Sequence, residues 1–420
     1  MLVTFIIRGK KSVHKRSSCS KVAGTSCQTV CIFVQKRVLG MNEYPINKER
    51  LATTFVDLCE IDSPSRQERQ IAMHLKSLFE ELGADSVVED DSAGKTGADC
   101  GNLIVRFAGT VAKEALFFAC HMDTVEPGVG VKVLRDGDLF TTRSNTVLGG
   151  DDKSGITAVI ELIRVLKESK MDHGPIEILL TTCEEVGLLG AKNFDHTLLQ
   201  ARSGYALDST GIDKVVVGAP AANHLKIEVY GIAAHAGLNP EQGVSALCLA
   251  ARAIADLRLG RLDEQSTANF GLIQGGVATN IVPDLITIEG EVRSHSVEKL
   301  DAYTREIETT FENVVKGWSV QTGSERPPAV KISVAKDYPA MRLTDDDPVV
   351  KRVRDAGKIL KREIDFQVAG GGSDANIFNS YGLKTAIVAT GMRKVHTVDE
   401  SLDLKDLYRL TELLLAIVAV

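Results

Sequence analysis

Short apolar runs alternate with stretches of helical periodicity along much of the chain. Leu103–Phe107, Ala115–Cys120 and Ile176–Cys183 are short and apolar, whereas Ile156–Leu166 repeats apolar residues at helical spacing. Such alternation is typical of an α/β domain, in which helices cover the faces of a mostly parallel sheet. The sequence therefore predicts an α/β fold with a mostly parallel central sheet flanked by helices.

The pattern changes in the middle of the chain. His224–Tyr230 and Ile286–Val292 alternate polar and apolar residues, while helices are predicted for about 18 residues from Pro240 and over Val297–Lys316. A strand that alternates in this way has one face in the core and one in water. This segment, with a last strand at Val330–Val334, predicts a small inserted α+β domain.

The first pattern returns from about residue 342, with a helix at Pro348–Arg362, a strand at Thr385–Ala389 and a helix at Leu404–Ala416. A chain of 420 residues exceeds the size at which one hydrophobic core usually stops growing. The predicted division is a catalytic domain over residues 41–218 and 342–420, with a lid domain over residues 219–341.

Residues 1–40 carry eight Lys or Arg and no Asp or Glu, so they are set apart from an acidic body. Without these eight charges, the net charge of −7 becomes −15 for residues 41–420. An acidic body argues against nucleic acid or an anionic membrane as a partner, because both bind through clustered Lys and Arg. It suits a protein that binds cations.

The favoured interpretation of this basic extension is a mis-assigned start, with Met41 as the functional first residue. A transit peptide is the alternative; a secretory signal is disfavoured because the apolar stretch Val3–Ile7 precedes the charges. We expect a chain that starts at Met41 to match the full chain in melting temperature and rate. The extension is excluded from the fold prediction.

Cysteine usage and hydropathy predict a soluble, cytoplasmic protein. Five cysteines follow residue 40, an odd number without metal-type spacing, which indicates a reducing compartment. Cys120 and Cys183 each end an apolar run, so buried thiols are expected there. No apolar run approaches the roughly 18 residues that a membrane span requires.

Acidic residues and histidines follow several predicted strands, at the edge where sites form in open α/β sheets. His121 and Asp123 come after the strand that ends at Ala119 and share a face, so that the carboxylate can fix the tautomer of the imidazole. Asp151 stands at the start of a predicted helix. Capping of that helix is the alternative role for Asp151.

Glu184 and Glu185 follow the strand that ends near Thr182. Adjacent carboxylates beside a buried strand are costly unless a cation neutralises them, although a solvated loop is the alternative. Asp208 and His396 each follow an apolar segment, and either residue alone is more typical of a structural role. Together, two His, one Glu and two Asp form a donor set that suits zinc, or cobalt and manganese.

Eight short motifs stand in order along the chain: HMDT, GGDDK, CEEVG, LDSTG, AAHAG, GGVATNIVPD, GGGSDAN and HTVDE. This series resembles the co-catalytic di-zinc exopeptidase family of peptidase T, carboxypeptidase G and the aminoacylases, over residues 45–420. The Glu-Glu segment, GGGSDANIF and HTVDE are most similar to the peptidase T-like branch. The resemblance implies a zinc-exopeptidase catalytic domain with an inserted lid and dimerisation domain.

The resemblance also implies two Zn²⁺ per subunit, which Co²⁺ or Mn²⁺ can replace. The implied ligands are His121 and Asp208 for one ion, Glu185 and His396 for the other, and Asp151 for both. Asp123 would orient His121. Glu184 would be the general base, which takes a proton from a water between the ions and delivers it to the leaving amine.

A second group of implied site residues lies outside the metal motifs. His235 in AAHAG matches a histidine that reaches the partner subunit's active site and stabilises the oxyanion, while Asn280 and Arg293 match substrate contacts. Gly371 and Gly372 precede a predicted helix, whose free amides can bind a substrate carboxylate. The alternatives are a structural histidine, a solvated arginine and a plain turn; a phosphate loop is disfavoured because no Gly-Lys-Ser/Thr follows.

These features predict a di-zinc aminopeptidase or tripeptidase for short peptides, homodimeric through the lid. An N-acyl-amino-acid deacylase or other amidohydrolase of the same fold is the alternative, because lid and loop contacts set substrate choice. The third hypothesis is a non-catalytic metal-binding or scaffold protein. Retention of Glu184 beside Glu185 speaks against it, since a pure metal binder needs no base.

Overall fold

A computed structural model describes residues 44–318 and 327–420. The basic extension at residues 1–40 and the alternative start at Met41 lie outside the described residues. In the described part of the chain, no helix has both the length and the apolar character that crossing a membrane demands.

The strands of the described residues fall into three sheets. Their bounds are β1 (Ser86–Glu89), β2 (Leu103–Phe107), β3 (Leu116–His121), β4 (Val133–Asp136), β5 (Leu139–Thr142), β6 (Ile176–Thr181), β7 (Ser203–Ser209), β8 (Lys214–Ala219), β9 (Ala221–Tyr230), β10 (Gly260–Asp263), β11 (Ser266–Gly275), β12 (Leu285–Ser294), β13 (Ala329–Tyr338), β14 (Met341–Arg342), β15 (Asp365–Val368), β16 (Lys384–Ala389) and β17 (Leu402–Asp403).

Helices cover these sheets. Their bounds are α1 (Lys48–Cys59), α2 (Arg69–Glu81), α3 (Ala93–Thr96), α4 (Gly150–Ser169), α5 (Leu189–Lys192), α6 (Ala246–Asp256), α7 (Val297–Lys316), α8 (Pro348–Leu360), α9 (Asp374–Ser380) and α10 (Leu404–Ala419). Single 3₁₀ turns lie at His196–Leu198 and Pro240–Gln242.

The largest sheet has the order β1-β2-β6-β3-β7-β16-β8-β14, with β15 paired to β8. Its central strands β6, β3, β7 and β16 are parallel, while the pairs β1–β2, β2–β6, β16–β8 and β8–β14 are antiparallel. The predicted α/β class is therefore confirmed in a mixed sheet, whose parallel pairs are the central strands and the pair β15–β8.

Both faces of this sheet are buried at its centre, which explains why central strands such as β3 and β6 are mostly apolar. Phe118 belongs to the core on the side of α1, α4, α8 and α10. Phe117 faces the other side, where its ring packs edge-on against Phe378 of α9 at 6.0 Å. Helix α4 is buried over most of its length, because it lies between the sheet and other helices.

The second sheet has the order β10-β11-β12-β9-β13, and its pairs are antiparallel. Helices α6 and α7 pack on one face, while His224 and Lys226 on the opposite face are exposed. The predicted half-exposed strands are confirmed. The domain boundaries at residues 219 and 341 stay a prediction.

One expectation for this segment was wrong, and two of its strands were missed. The helix expected from Pro240 begins at Ala246, where the Ser245 hydroxyl accepts a hydrogen bond from the Cys248 amide at 3.2 Å. The preceding residues form only a 3₁₀ turn. Strands β10 and β11 were not predicted, because residues 271–275 are exposed and leave no alternating pattern to detect.

Candidate metal centre and active site

The central parallel strands bring most of the predicted metal ligands to one edge of the sheet. His121 is the last residue of β3, Glu184 and Glu185 lie in the loop after β6, and Asp208 is near the end of β7. These three strands are neighbours and run in the same direction. Their carboxyl ends therefore meet where α/β sheets form sites.

Asp151 joins this group from the start of α4. Its backbone angles, φ −84° and ψ 104°, are extended, and the Asp151–Asp152 peptide bond is cis. The capping role considered for Asp151 falls instead to Asp152, whose Oδ1 accepts a hydrogen bond from the Gly155 amide at 3.2 Å. The Asp151 carboxylate is directed to the two histidines instead.

Asp151 stands between two groups of potential ligands. Its Oδ1 lies 3.0 Å from His121 Nε2, and its Oδ2 lies 3.2 Å from His396 Nε2. His396 Nε2 is also 3.0 Å from Glu185 Oε1. The ligand atoms of His121, Asp151 and Asp208 lie within 4.8 Å of one another, as do those of Asp151, Glu185 and His396.

The electrostatics of this cluster fit a divalent cation. Burial raises the pKa of Asp208 and the pKa of Glu184 well above their usual range, and neighbouring carboxylates raise both pKa values further. Hydrogen bonds to Asp151 and Glu185 raise the pKa of His396 to about 10. Several carboxylates crowd together here with two imidazoles among them, a donor set suited to zinc.

The tautomer of His121 also fits metal binding. Its Nδ1 lies 2.9 Å from the main-chain oxygen of Asp123, so Nδ1–H donates to that carbonyl and Nε2, which faces Asp151, is the nitrogen that would bind a metal ion. The Asp123 carboxylate is farther away, with Oδ1 at 3.5 Å from Nδ1. The orienting role of that carboxylate stays a prediction.

The loop that carries Glu184 is held by two buried carboxylates. Asp123 accepts hydrogen bonds from the Glu184 amide at 3.0 Å and the Glu185 amide at 3.2 Å. Glu68 accepts one from the amide of Cys183 at 2.9 Å, and Cys183 has a left-handed φ of 54°. Three successive amides are thus fixed, which positions the Glu184 side chain.

A cavity of about 410 Å³ opens beside the metal cluster, which is the group of five predicted ligands His121, Asp151, Glu185, Asp208 and His396. The cavity is lined by Glu184, Gly371 and Gly372. A Cβ on Gly372 would lie 2.3 Å from the ring of Tyr338, so the absence of a side chain lets the two segments touch. A Cβ on Gly371 would lie 3.4 Å from Arg293 Nη1. The guanidinium of Arg293 therefore reaches the glycine-rich loop, although Glu291 holds it at 2.9 Å.

His235 and Asn280 do not line this cavity. His235 is exposed, and its Nδ1 accepts hydrogen bonds from the amides of Gly237 at 3.2 Å and Leu238 at 3.1 Å. Asn280 is exposed on the adjacent segment, and its main-chain oxygen accepts from Ala236 at 2.9 Å. The two residues therefore lie on adjacent segments, outside the lining of this cavity.

Comparison with known proteins identifies the family. The model of peptidase family M20/M25/M40 matches residues 117–420. The chain belongs to this family. The predicted resemblance and the prediction of a peptidase are thereby confirmed at the level of the family.

Relatives of this family member match it over nearly their whole length. The uncharacterised protein YqjE of Bacillus subtilis is 38% identical over 89% of this chain and 98% of its own. The solved structure of aminopeptidase PepT from Bacillus cereus has a TM-score of 0.81 at 38% identity, covering 89% of this chain and 98% of that one. A tripeptidase from Staphylococcus aureus has a TM-score of 0.84 at 36% identity, covering 89% of this chain and 98% of that one.

Two residues of this family member's site were missed by the sequence prediction. Glu400 is the last residue of HTVDE, four positions after His396, and its carboxylate lies beside Asp151. Its place in a quoted motif was a signal that could have found it. Glu68 directly precedes α2 in a stretch of polar and charged residues, and nothing in the local sequence sets it apart.

Proposed function

We propose that the chain is a two-zinc aminopeptidase that hydrolyses short peptides. His121 and Asp208 would hold one zinc ion, Glu185 and His396 the other, and Asp151 both. The observation that carries this proposal is the Asp151 carboxylate, which turns one oxygen to each histidine. Two bound zinc ions polarise the scissile carbonyl and make water a stronger nucleophile.

Glu184 is the residue best placed to move the proton. Its carboxylate lines both the larger cavity and a small pocket that His121 and Asp208 also line, so it can take up and release a proton beside the proposed metal ligands. The attacking water forms the new C–O bond while its proton passes to Glu184. The C–N bond then breaks, and Glu184 delivers that proton to the leaving amine nitrogen.

Short peptides are supported as the substrate class by the aminopeptidase and tripeptidase named above. The cavity beside the metal cluster also has apolar residues such as Val216, Ile387 and Val395 in its wall. The test is a mass-spectrometric panel of di-, tri- and tetrapeptides beside N-acyl amino acids, with zinc- or cobalt-loaded enzyme. Release of N-terminal residues is expected; cleavage of N-acyl amino acids alone would establish the deacylase instead.

We also propose a cytoplasmic homodimer in which His235 serves the active site of the partner subunit. The support is its exposed position outside the lining of the cavity, beside the exposed apolar residues Leu238, whose amide donates to His235 Nδ1, and Ile281, which pairs with His235 in an isolated β-bridge. Large exposed apolar side chains that lie together are typical of interfaces. A donor placed over a developing oxyanion is worth about 2.7–4 kcal/mol.

Subunit exchange between two inactive variants, His235→Ala and Glu184→Gln, tests this arrangement. If His235 acts on the partner, a mixed dimer has both lesions in one site and an intact second site. Activity should return towards half of the wild-type value per mixed dimer. No recovery despite demonstrated exchange would mean that His235 acts within its own subunit or not at all.

A further inference from the structure

Glu400 is a buried carboxylate that the proposed reaction does not use. Its side chain is 1% exposed, Oε2 accepts a hydrogen bond from the Gly149 amide at 2.8 Å, and Oε1 accepts one from the Asp151 amide at 3.0 Å. These two amides belong to the loop that presents the Asp151 carboxylate. Glu400 therefore binds the main chain of the residue whose side chain faces both histidines.

The same turn of the chain supplies Glu400 and His396. The Glu400 amide donates to the Thr397 carbonyl at 3.1 Å, which closes the turn between them. His396 contacts the Asp151 side chain at 3.2 Å, and Glu400 contacts the Asp151 main chain. Asp151 is thus held on two sides by one short segment that is about 250 residues away in sequence.

The loop is shaped to receive this carboxylate. A Cβ on Gly150 would lie 3.0 Å from Glu400 Oε1, so a side chain there would push the carboxylate away. Gly149 has a left-handed φ of 79°, which glycine adopts without strain and which helps aim two amides at one group. The Glu400 carboxylate therefore packs directly against the main chain of Gly149 and Gly150.

We propose that Glu400 is a positioning residue that fixes Asp151 between the two metal sites. This inference rests on the proposed two-zinc function. The competing explanation is purely structural: an anion at the start of α4 satisfies free amides and stabilises the helix, whatever Asp151 binds. The two explanations differ in what happens to the bound metal when Glu400 is changed.

Glu400→Gln is the direct test. The substituted amide keeps one oxygen but presents an NH₂ group to one of the two amides, so one hydrogen bond is lost and two donors face each other. We expect the affinity for both metal ions to fall about 10- to 100-fold, as is typical when a partner of a metal ligand is removed. Competition with a chelator measures the affinities, and the visible absorption spectrum of the Co²⁺-loaded protein reports the ligand geometry.

Glu177→Gln is the matched control. Glu177 is also buried, at 3% exposed, and its Oε2 accepts from two amides, Gln200 at 2.8 Å and Ala201 at 2.7 Å. It is the second residue of β6, the strand whose other end leads to the site. Its change should lower the melting temperature while leaving the cobalt spectrum and both affinities as in the wild type.

Gly150→Ala provides a second route if Glu400→Gln does not fold. It displaces the carboxylate without removing it and should alter the cobalt spectrum in the same direction. Unchanged spectra and affinities in the folded Glu400 variant, or in Gly150→Ala, would overturn the inference while the two-zinc proposal stands. Weakening at one ion only would also overturn it, because Asp151 serves both. A wild-type protein that binds no metal would defeat both proposals.

Discussion

The interaction of Glu68 with the loop that carries Glu184 permits a prediction in which two substitutions at one site have opposite outcomes. Glu68 Oε1 accepts hydrogen bonds from the amides of Arg66 and Cys183, both at 2.9 Å. Its Oε2 is buried and has no hydrogen-bond partner among the described groups. Glu68→Ala removes both accepted bonds, whereas Glu68→Gln can keep them through its amide oxygen and place its NH₂ group at the unpartnered position.

The expected magnitudes follow from the surroundings of the two amides. The Cys183 residue is fully buried, so its orphaned N–H costs about 1–3 kcal/mol, while Arg66 is exposed and water can replace its partner. With the cavity left by the side chain, Glu68→Ala should lose about 2–5 kcal/mol. The entropy of unfolding, about 2.1 cal/mol/K per residue, converts this to a melting temperature roughly 3–6 °C lower for a folded unit of about 370 residues.

Glu68→Gln should melt at or above the wild-type temperature at neutral pH. Burial, then the nearby charge of Asp123, raises the pKa of Glu68. A raised folded-state pKa means that the stability contributed by this group is largest below its unfolded pKa, about 4.3, and is lost as the pH rises through the folded pKa. The advantage of Gln over Glu should therefore grow with pH.

Differential scanning calorimetry of the three proteins between pH 4 and pH 8 checks both parts. At pH 7, the melting temperature of Glu68→Gln should equal or exceed that of the wild type, and that of Glu68→Ala should be the lowest. Turnover should fall in Glu68→Ala, because the amide before Glu184 is no longer held. A Gln variant as unstable as Ala would show that the negative charge, rather than the accepted hydrogen bonds, is what the loop requires, and would refute the reasoning.

Three further outcomes are expected. Chelation should abolish hydrolysis, and zinc or cobalt should restore it. The Glu184→Gln variant should keep its metal while its turnover falls about a hundredfold or more. Near-normal turnover of that variant would show that Glu184 is not the general base. Asn376 donates to the main-chain oxygens of Pro220 at 3.1 Å and Pro339 at 2.7 Å, so Asn376→Leu should lower stability by about 2–4 kcal/mol, and an unchanged melting temperature would contradict this. Of the five described cysteines, Cys248 alone is exposed, so a thiol reagent should modify it first in the native protein, and faster labelling of a buried thiol would be contrary to expectation.

Much of the fold was predictable because burial leaves a pattern in the sequence. Strands such as β3 and β6 have helices on both faces, so they are apolar throughout, and β9 and β12 have one face covered, so they alternate. Strands that are neither continuously apolar nor regularly alternating were not predicted. Strands β4 and β5 are short and mostly half-buried or exposed, most of β11 is exposed, and no regular burial pattern marks them.

The chemical types of the site residues were determined by sequence alone, since each potential ligand stands in a short motif next to a predicted strand or helix. The contacts that these residues make with one another were not determined by the local sequence. Asp151 contacts His396 because helix α4 and the turn before α10 both reach the carboxyl edge of the sheet, although 245 residues separate the two in the chain. Local patterns encode which residues are buried and which are polar. Only the order of the strands, which depends on packing across the whole core, decides that Glu68 reaches Cys183 and that Glu400 reaches Asp151.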